Sequence, residues 1–281
     1  MAILKDLAQV LRTFEQGNTS LVAVMLGRRL GQFRVHIKGG RRWPKKGFEG
    51  GFDLLTRGEM LVYPRSGDSL WLFKEWDEHA RPDVGRSVAM LRAASYLCEL
   101  TEALTRHTAG SLREEFPRRT HAAVAGVQRP TAALYAWLAT TADALAAGAA
   151  RGPLLLTFTT RALQIEGLMP ELHVCAGCRC ALPKPRQPRP HAVWLTAAGL
   201  CCPECAAKEA VDEPTKARGE WLSPEAHLVL IHMHKTARPV AASAGAARQL
   251  ARALVVLVHG ALEHDLRTLS SAARMVQAMR R

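Results

Sequence analysis

Acidic residues are scarce in this chain. It has 25 Asp and Glu against 38 Lys and Arg, a formal net charge of +13 over 281 residues. Such an imbalance favours a polyanionic partner, nucleic acid ahead of an anionic membrane surface. Long apolar runs are missing too. The longest one near the C-terminus, Leu254–Val258, is far too short to span a bilayer. The first ten residues include Lys5 and Asp6 and show no apolar stretch leading to a small-residue cleavage site. The expectation is a cytoplasmic protein with no membrane partner, whose thiols stay reduced. Seven cysteines in that setting point to metal binding before disulfides.

Catalytic signatures are absent as well. There is no Gly-x-x-x-x-Gly-Lys-Ser/Thr, so ATP hydrolysis through a P-loop is not expected. No His-x-Glu occurs, which excludes the zinc nucleobase deaminases. Ser69, in Gly67-Asp-Ser-Leu-Trp71, lacks the second glycine of a nucleophile elbow. His232, His234, His259 and His264 fall late in the chain without a His-Glu-x-x-His pattern and read as packing or surface residues. No carboxylates are paired for acid–base work, and no internal repeat is visible. The chain reads as a non-enzyme.

What is present begins with strands. Phe33, Val35 and Ile37 alternate with Arg34, His36 and Lys38, the period of a half-buried strand. Short apolar runs at Leu21–Leu26, Met60–Tyr63 and Leu70–Phe73 are bounded by turn formers, and a first strand is expected near Leu7–Phe14. Five short strands in about 80 residues suit a small barrel of the OB type, and an SH3-like barrel would read much the same. After Pro82 the period becomes helical. Val84, Val88, Leu91, Cys98 and Leu104 suggest one stripe, and Leu134, Trp137, Leu138, Thr141 and Leu145 a second. Gly152-Pro153 opens a helix through Leu168 that Pro170 should end, Ser223-Pro224-Glu225 starts another, and a last one is expected over about Ser243 to Leu266. Between them, His173 to Gly219 holds six of the seven cysteines and six of the fifteen prolines, too many prolines for helices or central strands. The fold class is therefore α+β: an N-terminal five-stranded OB-fold barrel, then a mainly α-helical domain carrying a four-cysteine, zinc-ribbon-like insert. The expected boundaries are 1–80 for the barrel, as the nucleic-acid-binding part, 81–172 for the first helical part, 173–219 for the insert and 220–281 for the last helices.

Two constellations carry chemistry. Cys175-Ala-Gly-Cys178 and Cys202-Pro-Glu-Cys205 form two Cys-x-x-Cys knuckles separated by 23 residues. Four thiolates suit one tetrahedral zinc ion, and four cysteines close its shell, so one structural Zn2+ is expected rather than a catalytic one. Cys180, Cys201 and His173 stand beside the knuckles as possible substitutes. The second constellation runs from Arg28 to Lys46, eight basic residues without an acid. Arg34, Lys38, Arg41, Arg42, Lys45 and Lys46 are its candidate DNA-binding residues. Gly39-Gly40 permits close backbone approach, and Trp43 and Phe48 add rings. Cations along phosphates and flat rings under bases are what a single strand needs. Trp71 and Trp76 read as core or edge residues. A third basic stretch, Arg179, Lys184, Arg186 and Arg189, could extend a DNA track or be a solvated loop.

In order, these features resemble the RecO family of bacterial DNA recombination and repair mediators. The resemblance rests on Ile37-Lys-Gly-Gly-Arg-Arg42, on Leu163-Gln-Ile-Glu-Gly-Leu-Met-Pro170 with Leu172 and the first knuckle, and on Gly199-Leu-Cys-Cys-Pro-Glu-Cys205. Two positions depart: Ala198 stands where many members carry a second glycine, and Cys201 where an apolar residue is usual. The resemblance implies binding to single- and double-stranded DNA, annealing of complementary strands without ATP, and work with RecR and the acidic C-terminal tail of the single-stranded-DNA-binding protein. It also implies help in loading RecA, a nucleoid-associated place in the cytoplasm, and no catalytic residues. The alternative is a zinc-ribbon RNA-binding or ribosome-associated factor, which strand preference in binding would separate.

Overall fold

The computed structural model describes residues 3–42, 51–65, 70–106, 128–182, 192–212, 219–262, 266–269, 272 and 274. Lys45, Lys46, Trp43, Phe48, Lys184, Arg186 and Arg189 lie outside them, and so does the side chain of Arg42. The described residues form two compact units, Met1–Ala149 and Ala150–Arg281.

In the first unit five strands close a barrel: β1 (Leu4–Gln16), β2 (Ser20–Gly27), β3 (Gly31–Ile37), β4 (Arg57–Tyr63) and β5 (Leu70–Ala80). The order around it is β1-β2-β3-β5-β4, with β4 returning to β1. All pairs are antiparallel except β3 with β5. Alternation sends Ala8, Val10, Ala23, Met25, Val35 and Met60 inward to one core with Phe33, Phe52 and Trp76. Trp76 is buried in that core, and Trp71 stacks on Phe33 with ring centroids 5.0 Å apart, so both tryptophans serve packing.

Why Leu21–Leu26 is apolar without a break becomes clear from its outer face. Val22, Val24 and Leu26 alternate with the core-facing Ala23 and Met25, yet all five are buried. Two helices cover the barrel from outside: α1 (Val88–Leu104) packs on β1, and α2 (Gln128–Ala146) packs on β2 and β3. A strand buried on both faces reads as a continuous apolar run. Two ion pairs fasten the helices. Arg12 on β1 donates to Glu102 on α1 at 2.8 Å, and Arg57 on β4 meets Asp143 on α2, its Nη1 donating at 3.0 Å.

Ser87 starts α1 by accepting the Met90 amide on its Oγ. The stripe expected on this helix is only partly right. Val88 and Leu91 are exposed; the buried face carries Met90, Ala93, Ala94, Leu97, Cys98, Leu100, Thr101 and Leu104. The period held, but its phase was set by small alanines that pack against the barrel and that an apolar-size reading passes over. On α2, Leu134, Leu138, Thr141 and Leu145 are buried as the spacing predicts, while Trp137 is half-buried.

The second unit opens with α3 (Arg151–Ile165). It ends earlier than Pro170 would require. Gly167 takes φ 72°, in the left-handed region, while the Leu168 amide donates to the Leu163 carbonyl at 2.8 Å and the Gly167 amide to the Gln164 carbonyl at 3.1 Å. This is a glycine-terminated cap, which satisfies the last carbonyls before proline can act. Two strands of a sheet lie within the insert, where the proline count argued against central strands: β6 (Val193–Thr196) at the centre and β7 (Gly199–Cys201) on one side, with β8 (Gly219–Leu222), starting at the insert's last residue, on the other. These strands fall in proline-free pieces of the segment. Pro203 is the first residue of α4 (Pro203–Asp212), the one helical position where its missing N–H costs nothing. Two helices complete the unit, α5 (Pro224–Thr236) and α6 (Ala244–Ala261), each capped by a serine hydroxyl, Ser223 and Ser243. The last helix thus stops short of the expected Leu266. Among the described residues no helix is long and apolar enough to cross a membrane.

Candidate metal centre and nucleic-acid interface

The first knuckle forms where the chain leaves α3. A short bridge pairs Val174 with Ala181, and the Cys175 amide donates to the Cys180 carbonyl at 2.9 Å, folding residues 175–180 into a tight turn. The second knuckle lies where β7 runs into α4. The Ala176 amide donates to the Leu200 carbonyl at 2.7 Å and brings the two turns together. Gly177 suits the close approach, since a Cβ there would stand 3.1 Å from the Cys205 sulfur, a tight contact. Alanine at 198 does not prevent the intervening turn. The Thr196 hydroxyl accepts from the Ala198 amide and donates to the Gly199 carbonyl, both at 3.2 Å.

The sulfurs of Cys175, Cys178, Cys202 and Cys205 consequently lie within 4.8 Å of one another. Cys178 and Cys202 are 3.8 Å apart. Four sulfurs bonded to one tetrahedral zinc ion, at about 2.3 Å each, would sit about 3.8 Å from each other. The donor set and spacing therefore fit a single metal ion. Burial pushes the Cys175 thiol up, but backbone N–H groups of Cys178, Cys202 and Gly177 outweigh it and bring the group down to about 6. Cys205 is pushed up to about 12 by hydrogen bonds to the Cys178 and Cys202 sulfurs. Cys178 is also held below its ordinary value, first by the Cys180 backbone, so part of the cluster favours the thiolate while Cys205 resists it, and a coordinated metal ion would favour the thiolate form of all its ligands.

Of the neighbouring candidates, Cys180 is exposed and hydrogen-bonds to the sulfurs of Cys178 and Cys202, which push its thiol up to about 12. Cys201 is buried on β7, opposite Trp194 in the strand register. Neither belongs to the four-sulfur group, and neither does His173.

The basic segment divides when it is folded. Arg29 is structural: its amide and that of Leu30 each donate at 2.8 Å to Asp6, a buried carboxylate that also receives the Arg29 Nε. Arg34 and Lys38 are exposed, and no ion pair engages either among the described residues. Arg41 pairs with Glu15 at 3.0 Å. Its amide donates to the Thr19 carbonyl, so the Gly39-Gly40 turn is folded against the β1–β2 turn. That places Lys38 and Arg41 at the end of the barrel where β3 finishes, with Arg34 midway along β3 and alternating outward like Lys38. Sequence reading named the cations but missed what lies beside them. Phe14 is 42% exposed near the end of β1, and the Arg12 guanidinium stands 5.7 Å above its ring centre. A large apolar residue at the last exposed turn of a strand was the only available signal.

Barrel, covering helices and four-cysteine cluster define a two-unit α+β protein with a candidate metal centre in its helical unit. The chain belongs to the RecO family: the family model described as "Recombination protein O C terminal" matches residues 125–270, more than half of the chain. A protein named "DNA repair protein RecO" from Rhodopirellula baltica is 35% identical over 99 residues. That match covers 35% of this chain and 36% of the relative, so it spans little more than a third of the relative's length.

Proposed function

We propose that this chain is a DNA repair and recombination mediator that binds single-stranded DNA through residues 1–80 and anneals complementary strands without catalysing a covalent reaction. The observation that carries the reading is the set of cations on and just after one strand of a closed barrel, Arg34, Lys38 and Arg41, in a member of the RecO family with net charge +13. Small barrels of this strand order use such surfaces for oligonucleotides. Lys38 and Arg34 would neutralise phosphates, with Arg41, Arg42, Lys45 and Lys46 continuing the track in sequence. One structural Zn2+ held by Cys175, Cys178, Cys202 and Cys205 would fasten the two knuckles of residues 173–219 to each other; when bound, it supplies four metal–sulfur bonds and no open position. Double-stranded DNA, RecR, the acidic tail of the single-stranded-DNA-binding protein and, indirectly, RecA are the partners proposed from family membership, in the cytoplasm.

Annealing needs no general acid, base or nucleophile. Two strands repel through their phosphates, and a cationic surface that binds both lowers that barrier by releasing counterions. The test is annealing of complementary oligonucleotides with no nucleotide present. The expected result is acceleration that fades as salt rises. A requirement for ATP, or no annealing at any salt despite tight binding, would overturn the proposal; a preference for RNA over DNA would favour an RNA-binding role.

A further inference from the structure

We propose that Phe14 is a base-stacking platform, the aromatic partner of the cations on β3. The inference rests on the nucleic-acid reading above and assigns it a residue that the sequence pattern did not single out.

Strand register carries the argument. Phe14 on β1 is directly opposite Val22 on β2, and Val22 is opposite His36 on β3. One step along, Arg12 is opposite Val24, and Val24 is opposite Arg34. Residues opposite one another in a sheet share a face. Ala23 and Met25 point into the barrel core, so these two rows lie on its outer surface. Neighbouring strands are about 4.8 Å apart, which puts Phe14 about 10 Å across the sheet from His36. Lys38 continues the β3 row two residues on. The outer face therefore carries an exposed ring on one strand, a buried valine floor on the next, and cations on the third.

Nothing in the barrel's own packing requires an aromatic at position 14. Phe33 and Trp71 stack on each other, and Phe52 packs against Phe73 and Trp76. Phe14 contacts none of these rings among the described residues. Its charged neighbours suit an anionic strand. Arg12 stands over the ring while also meeting Glu102, and Arg34 and Lys38 have no ion pair among the described residues. The acid nearest in sequence, Glu15, is engaged by Arg41. Helix α2 packs over part of the β2–β3 surface, and the outward residues of β2, Val22, Val24 and Leu26, are all buried, as is Gln32 on β3. What these rows leave exposed is Phe14 on β1 and Arg34 and Lys38 on and just beyond β3. A ring that accepts a base beside cations that accept phosphates is the arrangement by which single strands are held without sequence preference.

The experiment compares two fluorescent oligomers of equal length, one of thymidine and one abasic, which share the same phosphates. Wild-type protein should bind the thymidine oligomer more tightly. Phe14→Ala should weaken thymidine binding about tenfold, in line with stacking on one base, and leave abasic binding and the salt dependence unchanged. Phe14→Leu, which keeps the apolar bulk, should show the same loss, and Phe14→Tyr should restore binding; if the alanine variant fails to fold, the leucine variant carries the comparison. Phe14→Leu binding thymidine as wild type does would overturn the proposal, as would an equal loss on both oligomers. Wild-type protein that binds neither oligomer would overturn the nucleic-acid reading itself, and the platform with it.

Discussion

The backbone amide of Cys202 donates to the sulfur of Cys175 at 3.3 Å, across 27 residues of chain. One knuckle thus supplies electrostatic support for the other before any ion is added. Each turn alone presents two sulfurs; the shared hydrogen bond fixes how the two pairs face each other.

This sets the first prediction. Freshly purified, reduced protein should contain one zinc per chain. Cys202→Ser should lose the metal and destabilise the second unit by several kcal/mol, because metal binding to a site absent from the unfolded chain contributes directly to folding. Elemental analysis with thermal unfolding checks both. Full zinc retained by Cys202→Ser would promote Cys180, whose sulfur already hydrogen-bonds to the cluster, to ligand.

A second prediction concerns charge on the barrel. If the basic segment neutralises about four phosphates, log affinity for single-stranded DNA should fall with log salt at a slope of roughly −3. Replacing Arg34, Lys38, Arg41 and Arg42 together by glutamine should flatten that slope. Titrations at several salt concentrations measure it, and an unchanged slope would return these residues to the role of a solvated face. Arg41 should contribute least of the three described cations, since Glu15 already offsets its charge.

The third prediction is a pH dependence. Glu225 in the first turn of α5 accepts from both the amide and the hydroxyl of Ser243, the cap of α6, each at 2.7 Å. The Ser243 hydroxyl and then its amide hold the Glu225 carboxyl below its ordinary value. An acid whose folded pKa is lowered stabilises the fold above its unfolded pKa, and that contribution is lost as pH falls through the folded one. Glu225→Gln should therefore lower the Tm at pH 7, and the difference from wild type should shrink below about pH 4. A difference that stays constant with pH would mean that the hydrogen bonds, not the charge, couple the two helix starts.

Much of this protein was legible from sequence because its signals are local. Two Cys-x-x-Cys turns, a strand alternating from Phe33 to Lys38, and Ser-Pro-Glu at 223–225 each act through neighbours a few residues away. The errors arose where a nearer or smaller residue took over. Gly167 ended α3 before Pro170 could, and the alanines of α1 set its buried face in place of Val88 and Leu91.

Composition and spacing alone determined that the chain is basic, that its cysteines pair as knuckles, and that strands precede helices. Those properties are additive along the chain and do not depend on what packs where. Only the tertiary structure decided which cations are engaged and which are open, for Arg29 and Arg34 are alike in sequence but one serves the buried Asp6 and the other faces outward. Only it brought four sulfurs within 4.8 Å of one another, and only the strand register set Phe14 in line with His36. These are relations between distant segments. They are fixed by cross-strand pairing and by helices covering one part of a barrel and not another, and no local pattern encodes them.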